Sequence, residues 1–366
     1  MFDNKTVAVV VPAFNEAQQI GLVLESMPGM VDRIVVVNDG SSDNTREIVE
    51  GYLRSETKDH ACPGIGPVTI QPTLYNEAEV FLQERDKEER ALFVPSEVIN
   101  EDPGKSRIIL IEHLENGGVG AAIATGYKWC KDNNIDCTAV MAGDGQMDPD
   151  ELIDICRPVI EEGVDYVKGN RLIHRSARYL IPQKRYLGNS VLSIMTKMAS
   201  GYWRVSDTQT GFTAIGKKAL RKIEIGKIYR NYGMPNDMLV RLNLAKCTLK
   251  EVEIKPVYRI GEQSKMRIVR VIPKLSWLLF RSFFKRIWNR YFLKDFHPLF
   301  LLYVLSMVLG VASIPFLVDI LRYIFIPGQA TPNSILMIYI FLAISGLQSL
   351  FFAMWMDIQD NDRLQK

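Results

Sequence analysis

The sequence predicts an α/β body, a mostly parallel sheet with helices on both faces, followed by a C-terminal helical hairpin long enough to cross a membrane. Three observations carry this. Short apolar, β-rich runs alternate with helix-like segments through the first two-thirds of the chain, a rhythm that gives parallel strands covered on both faces. Polar turns rich in Asp, Asn and Gly follow several of these runs, where ligands bind in such sheets. Two apolar runs, 299–318 and 335–356, close the chain around a polar turn at 327–332. Each is about 20 residues or slightly more, enough to cross a hydrocarbon core ~30 Å thick.

Taken in order, residues 6–11 form the first strand and 16–26 its helix. Residues 33–37 form the second strand, with a helix over 43–53. A third strand at 107–112 leads through a Gly-rich turn into a helix over 119–131; strands follow at 138–142 and 165–168. Residues 60–106 break the rhythm. Two Pro/Gly turns and a charged run make this stretch too long for an ordinary connection, so it reads as a surface insertion with a helix near 77–92.

The hairpin begins after a basic stretch. Between Arg267 and Lys294 there are eight Lys or Arg and no acid, whereas the inter-helix turn is uncharged. Positive flanks mark the cytoplasmic side, so the expectation is an integral membrane protein with its body and both termini in the cytoplasm. Residues 266–297 read as a basic amphipathic segment lying in the interface, with Arg270, Lys274, Arg281 and Lys285 near one stripe. Asp319 and Arg322 sit one turn apart as anchors. The five cysteines show no metal spacing and read as reduced packing thiols.

Chemistry is expected in the turns: Pro12-Ala-Phe-Asn15-Glu16, Asn38-Asp39-Gly40-Ser41-Ser42-Asp43, and Gly143-Asp144-Gly145-Gln146. Helix caps and tight turns explain some of these residues. They do not explain carboxylates at the ends of several strands, which repel unless something positive joins them. A hard divalent cation, reached through one or two carboxylates plus a substrate phosphate, is a simple answer.

These turns, with Asn116-Gly-Gly-Val-Gly120-Ala-Ala, resemble glycosyltransferase family 2 and its GT-A fold, and more narrowly the polyprenyl-phosphate glycosyltransferases such as dolichyl-phosphate mannosyltransferase. The likeness runs from about residue 6 to 265, apart from the insertion, so residues 1–265 would be the catalytic domain. The resemblance implies that Pro12, Asn15, Glu16 and Asp39 line the nucleoside, and that Gly118 and Gly120 let the backbone approach the nucleotide. Asp144 and Gln146 would face Mg²⁺ or Mn²⁺ and the diphosphate. Ala142 stands where the family motif has its first acid, which leaves Asp144 as the main protein ligand. Arg171 and Arg185 would face the diphosphate or the lipid phosphate, a role that suits the planar guanidinium. Asp207, in Ser206-Asp-Thr-Gln-Thr210-Gly-Phe212, would lie over the acceptor side. Asp237 matches a family acid or caps a helix. Lys265, in Gly261-Glu-Gln-Ser264-Lys265, would cover the phosphates.

The implied reaction is inverting transfer of a sugar from a UDP- or GDP-sugar to polyprenyl phosphate, with the bilayer as partner, no nucleic acid and room for a homo-oligomer. Another lipid or glycan acceptor, or a non-catalytic nucleotide-sugar-binding role, stays open. A dinucleotide-binding oxidoreductase is disfavoured, because the first strand is not followed by G-x-G-x-x-G.

Overall fold

The structure is a computed structural model that describes residues 2–55, 65–66, 70–180, 183–257, 268–325 and 330–366, with the backbone path alone at 178, 180, 183–191 and 268–271. Eight strands form one sheet in the order β3-β4-β2-β1-β5-β7-β6-β8. They are β1 (Val7–Ala13), β2 (Arg33–Asn38), β3 (Ser96–Val98), β4 (Ile108–His113), β5 (Cys137–Val140), β6 (Tyr166–Asn170), β7 (Thr213–Gly216) and β8 (Leu249–Glu253). Strands β4, β2, β1 and β5 pair in parallel, and β6 pairs in parallel with β8. Only β3 and β7 run against their neighbours. The carboxyl ends of β1, β2, β4, β5 and β6 therefore share one edge.

The central strands are buried almost throughout and mostly apolar, yet their two faces serve different cores. Ala8, Val10, Val35 and Ile109 pack on one side, whereas Val7, Val9, Val11, Ile34 and Val36 pack on the other. The first layer holds α4 (Val119–Asp132), α8 (Lys217–Lys222) and α9 (Met234–Leu244); the second holds α1 (Ile20–Glu25), α2 (Thr45–Ser55) and α5 (Leu152–Ile160). Doubly covered strands cannot alternate polar and apolar residues, which is why they read as continuous runs. Cys130, Cys137, Cys156 and Cys247 are buried free thiols; burial pushes Cys130 and Cys247 up to about 12, so both stay protonated. Cys62 lies outside the described residues.

Within the expected insertion, α3 (Glu77–Glu88) continues as a 3₁₀ turn, Glu89–Leu92, with no buried side chain. β3 then adds to the sheet edge antiparallel to β4, so the stretch ends as a strand of the main sheet.

The remaining helices are α6 (Ala177–Leu180), α7 (Gln183–Ser200), α10 (Ile268–Trp288), α11 (Pro298–Phe325) and α12 (Asn333–Asp362). α11 and α12 pack against each other and are long and apolar enough to cross a membrane, with few of their residues fully buried. α12 outruns the expected span and continues to Asp362. One face of α10 is as exposed and basic as expected, with Lys274, Arg281 and Lys285 outward among Trp277, Phe280, Phe284 and Trp288. The opposite face departs from expectation. Leu275 and Leu279 pack on α7 and α9, and Arg286 is buried, as is Arg290 in the π-helical turn Asn289–Lys294 that continues the helix. Asp319 and Arg322 pair at 3.4 Å.

Candidate active site

The turns after β1 and β2 are built as one unit. Asn15 takes a left-handed backbone (φ 56°), and its side-chain carbonyl accepts the Ser42 N–H at 2.8 Å. The Asn15 N–H donates to Ser41 Oγ at 2.9 Å, and the Glu16 N–H to Thr45 Oγ1 at 3.0 Å. Asp43 accepts the N–H groups of Ala17 and Thr45. Burial alone would raise the Asp43 carboxyl, but these bonds and the Thr45 hydroxyl outweigh it and hold it below its ordinary value. Asn15 and Glu16 are thus half-buried where the first turn is tied to the second, with Pro12 buried beneath them.

Asp39 sits at the centre of the Gly-rich loop. Its carboxylate accepts the Gly117 and Gly118 N–H groups, each at 2.8 Å, and meets His113 Nδ1 at 2.7 Å. His113 Nε2 meets Thr125 Oγ1 at 2.9 Å. Asp39 and His113 are both about 2% exposed. The glycines have a steric reason of their own: a Cβ on Gly118 would sit 2.6 Å from the Arg230 carbonyl, and one on Gly120 would sit 2.1 Å from that of Tyr229. The close approach seen is therefore to residues 229–231, whose Arg230 carbonyl accepts the Gly120 N–H at 2.7 Å. His113 went unnoticed in the sequence because it closes an apolar run and looks like a strand residue.

The Asp144 turn leaves β5 beside the end of β1, where the Gly143 N–H donates to the Pro12 carbonyl at 3.2 Å. Gly145 supplies a positive φ of 74°, and the Gln146 N–H donates to Asp144 Oδ1 at 3.1 Å. Asp144 and Gln146 are half-buried at the sheet edge. Among the described residues no group of three or more His, Cys, Asp or Glu converges as a metal cage. One half-buried carboxylate fits a cation that arrives with a diphosphate and keeps water ligands; it does not fit a metal bound by protein alone.

At the end of β6, Arg171 grips Asp207 with two bonds, Nε to Oδ2 at 2.8 Å and Nη2 to Oδ1 at 3.1 Å. Asp207 also accepts the N–H groups of Gln209 and Thr210 and is 3% exposed. Burial raises its carboxyl, yet Arg171 and Lys168 outweigh that and hold it below the usual carboxylate range. Lys168, fully buried below, donates to the Thr210 carbonyl, and burial lowers its ammonium to about 8. Glu251 on β8 closes the cluster, accepting from Asn170 and from the Ser206 and Asp207 N–H groups. Lys168 and Glu251 were also missed, since each reads as an ordinary strand residue.

Asp237 is not a helix cap: the cap position of α9 belongs to Gly233. Its carboxylate accepts from Arg241 at 2.6 Å and from the Tyr229 N–H at 3.0 Å, which props the segment lying on Gly118 and Gly120. Arg185 falls in the first turn of α7, where the backbone path alone is described. Lys265 and the rest of residues 258–267 lie outside the described residues.

The Asp39 loop, the Asp144 turn and the Arg171–Asp207 clamp thus lie at the carboxyl-end edge of the sheet, where α/β sheets bind ligands. The profile of glycosyl transferase family 2 matches residues 8–62 and 95–224, and the chain belongs to that family. The unmatched gap falls within the insertion that carries α3. A UDP-N-acetylglucosamine–dolichyl-phosphate N-acetylglucosaminyltransferase of Methanococcus voltae is 27% identical over 256 residues, 70% of this chain and 87% of that one. An uncharacterized protein of Methanocaldococcus jannaschii is 27% identical over 281 residues, 76% of this chain and 91% of that one. Among solved structures, glucosyl-3-phosphoglycerate synthase of Mycobacterium tuberculosis is similar at 16% identity and a TM-score of 0.44, covering 77% of this chain and 80% of that one.

Proposed function

We propose that this glycosyltransferase moves a sugar from a nucleotide-diphosphate donor to a polyprenyl phosphate at the cytoplasmic face of a membrane. The observation that carries the reading is the docking of a family 2 body, with Asp144 and Arg171 at one sheet edge, onto a two-helix apolar hairpin. The Methanococcus relative, by its name, acts on dolichyl phosphate, which makes UDP-N-acetylglucosamine the first donor to try. Exposed Lys274, Arg281 and Lys285 beside the first span support a cytoplasmic body.

The acceptor oxygen is already anionic near neutral pH, so the site need not supply a base. It must align the reactants and offset charge on the leaving nucleoside diphosphate. Pro12, Asn15 and Glu16 hold the nucleoside, and the loop fixed by Asp39 and His113 sets their depth. Arg171 presents a guanidinium to a phosphate, while Asp207 holds it in place. Mg²⁺ or Mn²⁺ at Asp144 and Gln146, when bound, supplies Lewis-acid stabilisation of the diphosphate. The acceptor phosphate oxygen forms a bond to the anomeric carbon as the bond to the donor phosphate breaks, its electrons leaving with the nucleoside diphosphate. A single in-line displacement inverts that carbon.

The test uses purified full-length protein, Mg²⁺ or Mn²⁺, polyprenyl phosphate and a panel of UDP- and GDP-sugars, with Asp144→Ala beside it. Sugar-labelled lipid from one donor, reduced at least ~100-fold in the variant, is expected. Labelled product at wild-type rate from Asp144→Ala would remove that residue from the site, and nucleotide binding without product from any donor would sink the polyprenyl-phosphate reading and point to another acceptor or a non-catalytic role.

A further inference from the structure

A largely buried polar network joins the body-side end of α12 to three helices of the body. Arg286 on α10 pairs with Asp357 on α12 through two bonds of 2.7 Å, with both side chains 0% exposed. The same guanidinium donates to the Ala199 and Met198 carbonyls at the end of α7. One turn on, Arg290 reaches Asn361 at 2.8 Å, Asp360 at 2.6 Å and the Asn243 side chain on α9. The Tyr291 hydroxyl bridges Asp357 at 3.0 Å and Asp360 at 2.9 Å. Beyond the helix, residues 364–366 pair with β8: the Leu249 N–H donates to the Leu364 carbonyl and the Lys366 N–H to the Leu249 carbonyl.

A tether needs none of this. Removing two arginines and two carboxylates from water is expensive, and apolar packing would hold the helices as well. What charged, bidentate geometry adds is one defined position, because each pair tolerates little displacement. The helices it grips lead to the site. The α9 end opposite Asn243 carries Asn236, whose side-chain carbonyl accepts from Gln209 at 3.0 Å, inside the Asp207 element. Thr196, on the α7 segment that ends at Ala199, donates to the same Asn236 oxygen at 2.8 Å.

We infer that Arg286, Arg290, Asp357 and Asn361 are positioning residues that set the hairpin, and with it a membrane-borne acceptor, in register with the Arg171–Asp207 element. This rests on the lipid-phosphate acceptor proposed above. The experiment compares full-length wild type with Asp357→Ala, measuring transfer to long-chain polyprenyl phosphate in phosphatidylcholine vesicles and to water-soluble geranyl phosphate, alongside UDP binding. In the variant, transfer to the vesicle-borne acceptor falls about 10- to 100-fold, while transfer to geranyl phosphate and UDP binding stay within about twofold of wild type. Asp357→Asn, which keeps the side-chain shape and removes the charge, shows the same split at smaller size and stands in should the alanine variant not fold. Equal loss on both acceptors, with wild type active on both, overturns the inference and leaves the acceptor reading intact. A wild type that transfers to neither acceptor sinks the acceptor reading, and the inference with it.

Discussion

Arg171 and Asp207 show how a site residue is defined by its contacts. A general base works best with a pKa near the working pH, whereas Asp207, though burial raises its carboxyl, is held low by Arg171 and Lys168. Asp207→Asn should therefore lower kcat about 10- to 100-fold by loosening Arg171, without moving the acid limb of the pH–rate profile; a shifted limb would make Asp207 the base. Arg171→Lys should cost a similar factor, since an ammonium cannot reproduce the fork. Lys168 gives a pH-dependent test. Its folded pKa of about 8 lies below its ordinary 10.5, so between those values the unfolded chain binds more protons and Lys168 makes stability rise with pH. Lys168→Met should remove that rise, worth on the order of a few kcal/mol, as read by unfolding at pH 8 and 10.5. Parallel curves for the two proteins would mean the amine is not desolvated. Asp39 and Asp144 were singled out because polar turns at strand ends stand out, whereas Arg171 and Asp207 were picked out by their match to family motifs. His113, Lys168 and Glu251 were not, because a polar residue within a strand looks alike whether it faces water or a buried partner.

The Gly-rich loop shows at the next scale why an element needs a small residue. Gly120 opens α4 with its Cβ position 2.1 Å from the Tyr229 carbonyl and 2.9 Å from the Arg230 carbonyl carbon. Neither neighbour is a flexible side-chain end, so a methyl must displace residues 229–231 and break the Gly120–Arg230 hydrogen bond. Gly120→Ala should destabilise the protein by about 1–3 kcal/mol and raise KM for the donor more than it lowers kcat. An unchanged melting temperature would show that the segment yields freely. The loop's composition was readable in the sequence; what presses on it was not, because residues 117–120 and 229–231 meet only through the fold. The same limit governs α10. Arg286 and Arg290 counted in the sequence only among the eight basic residues before the first span, and helical period alone cannot say that they face carboxylates far along the chain.

At the scale of the whole molecule the question is whether the hairpin is a leash or a part of the body. The strand-and-helix rhythm and the two spans were plain in the sequence, and they suggest a soluble domain that would stand alone once the spans were cut away. The contacts argue otherwise. Ile287 on α10 and Tyr291, in the turn that follows it, are buried against Leu299, Tyr303 and Ala353 of the hairpin. Asn243 on α9 is fully buried and bonds to Asn361 at 2.7 Å, and β8 takes its edge pairing from residues 364–366. Removing residues 298–366 would return the arginines to water, which relieves their desolvation, but it would strip apolar cover from α10 and expose the edge of β8. The uncovered contacts outweigh that relief, because paired and hydrogen-bonded charges had already recovered much of their desolvation, while lost apolar burial is recovered by nothing. A body ending at residue 297 should therefore melt roughly 5–10 °C below the full-length protein in the same detergent, with amide exchange accelerated first in β8 and the end of α9. A truncated body that melts with the full chain would make the hairpin a leash after all.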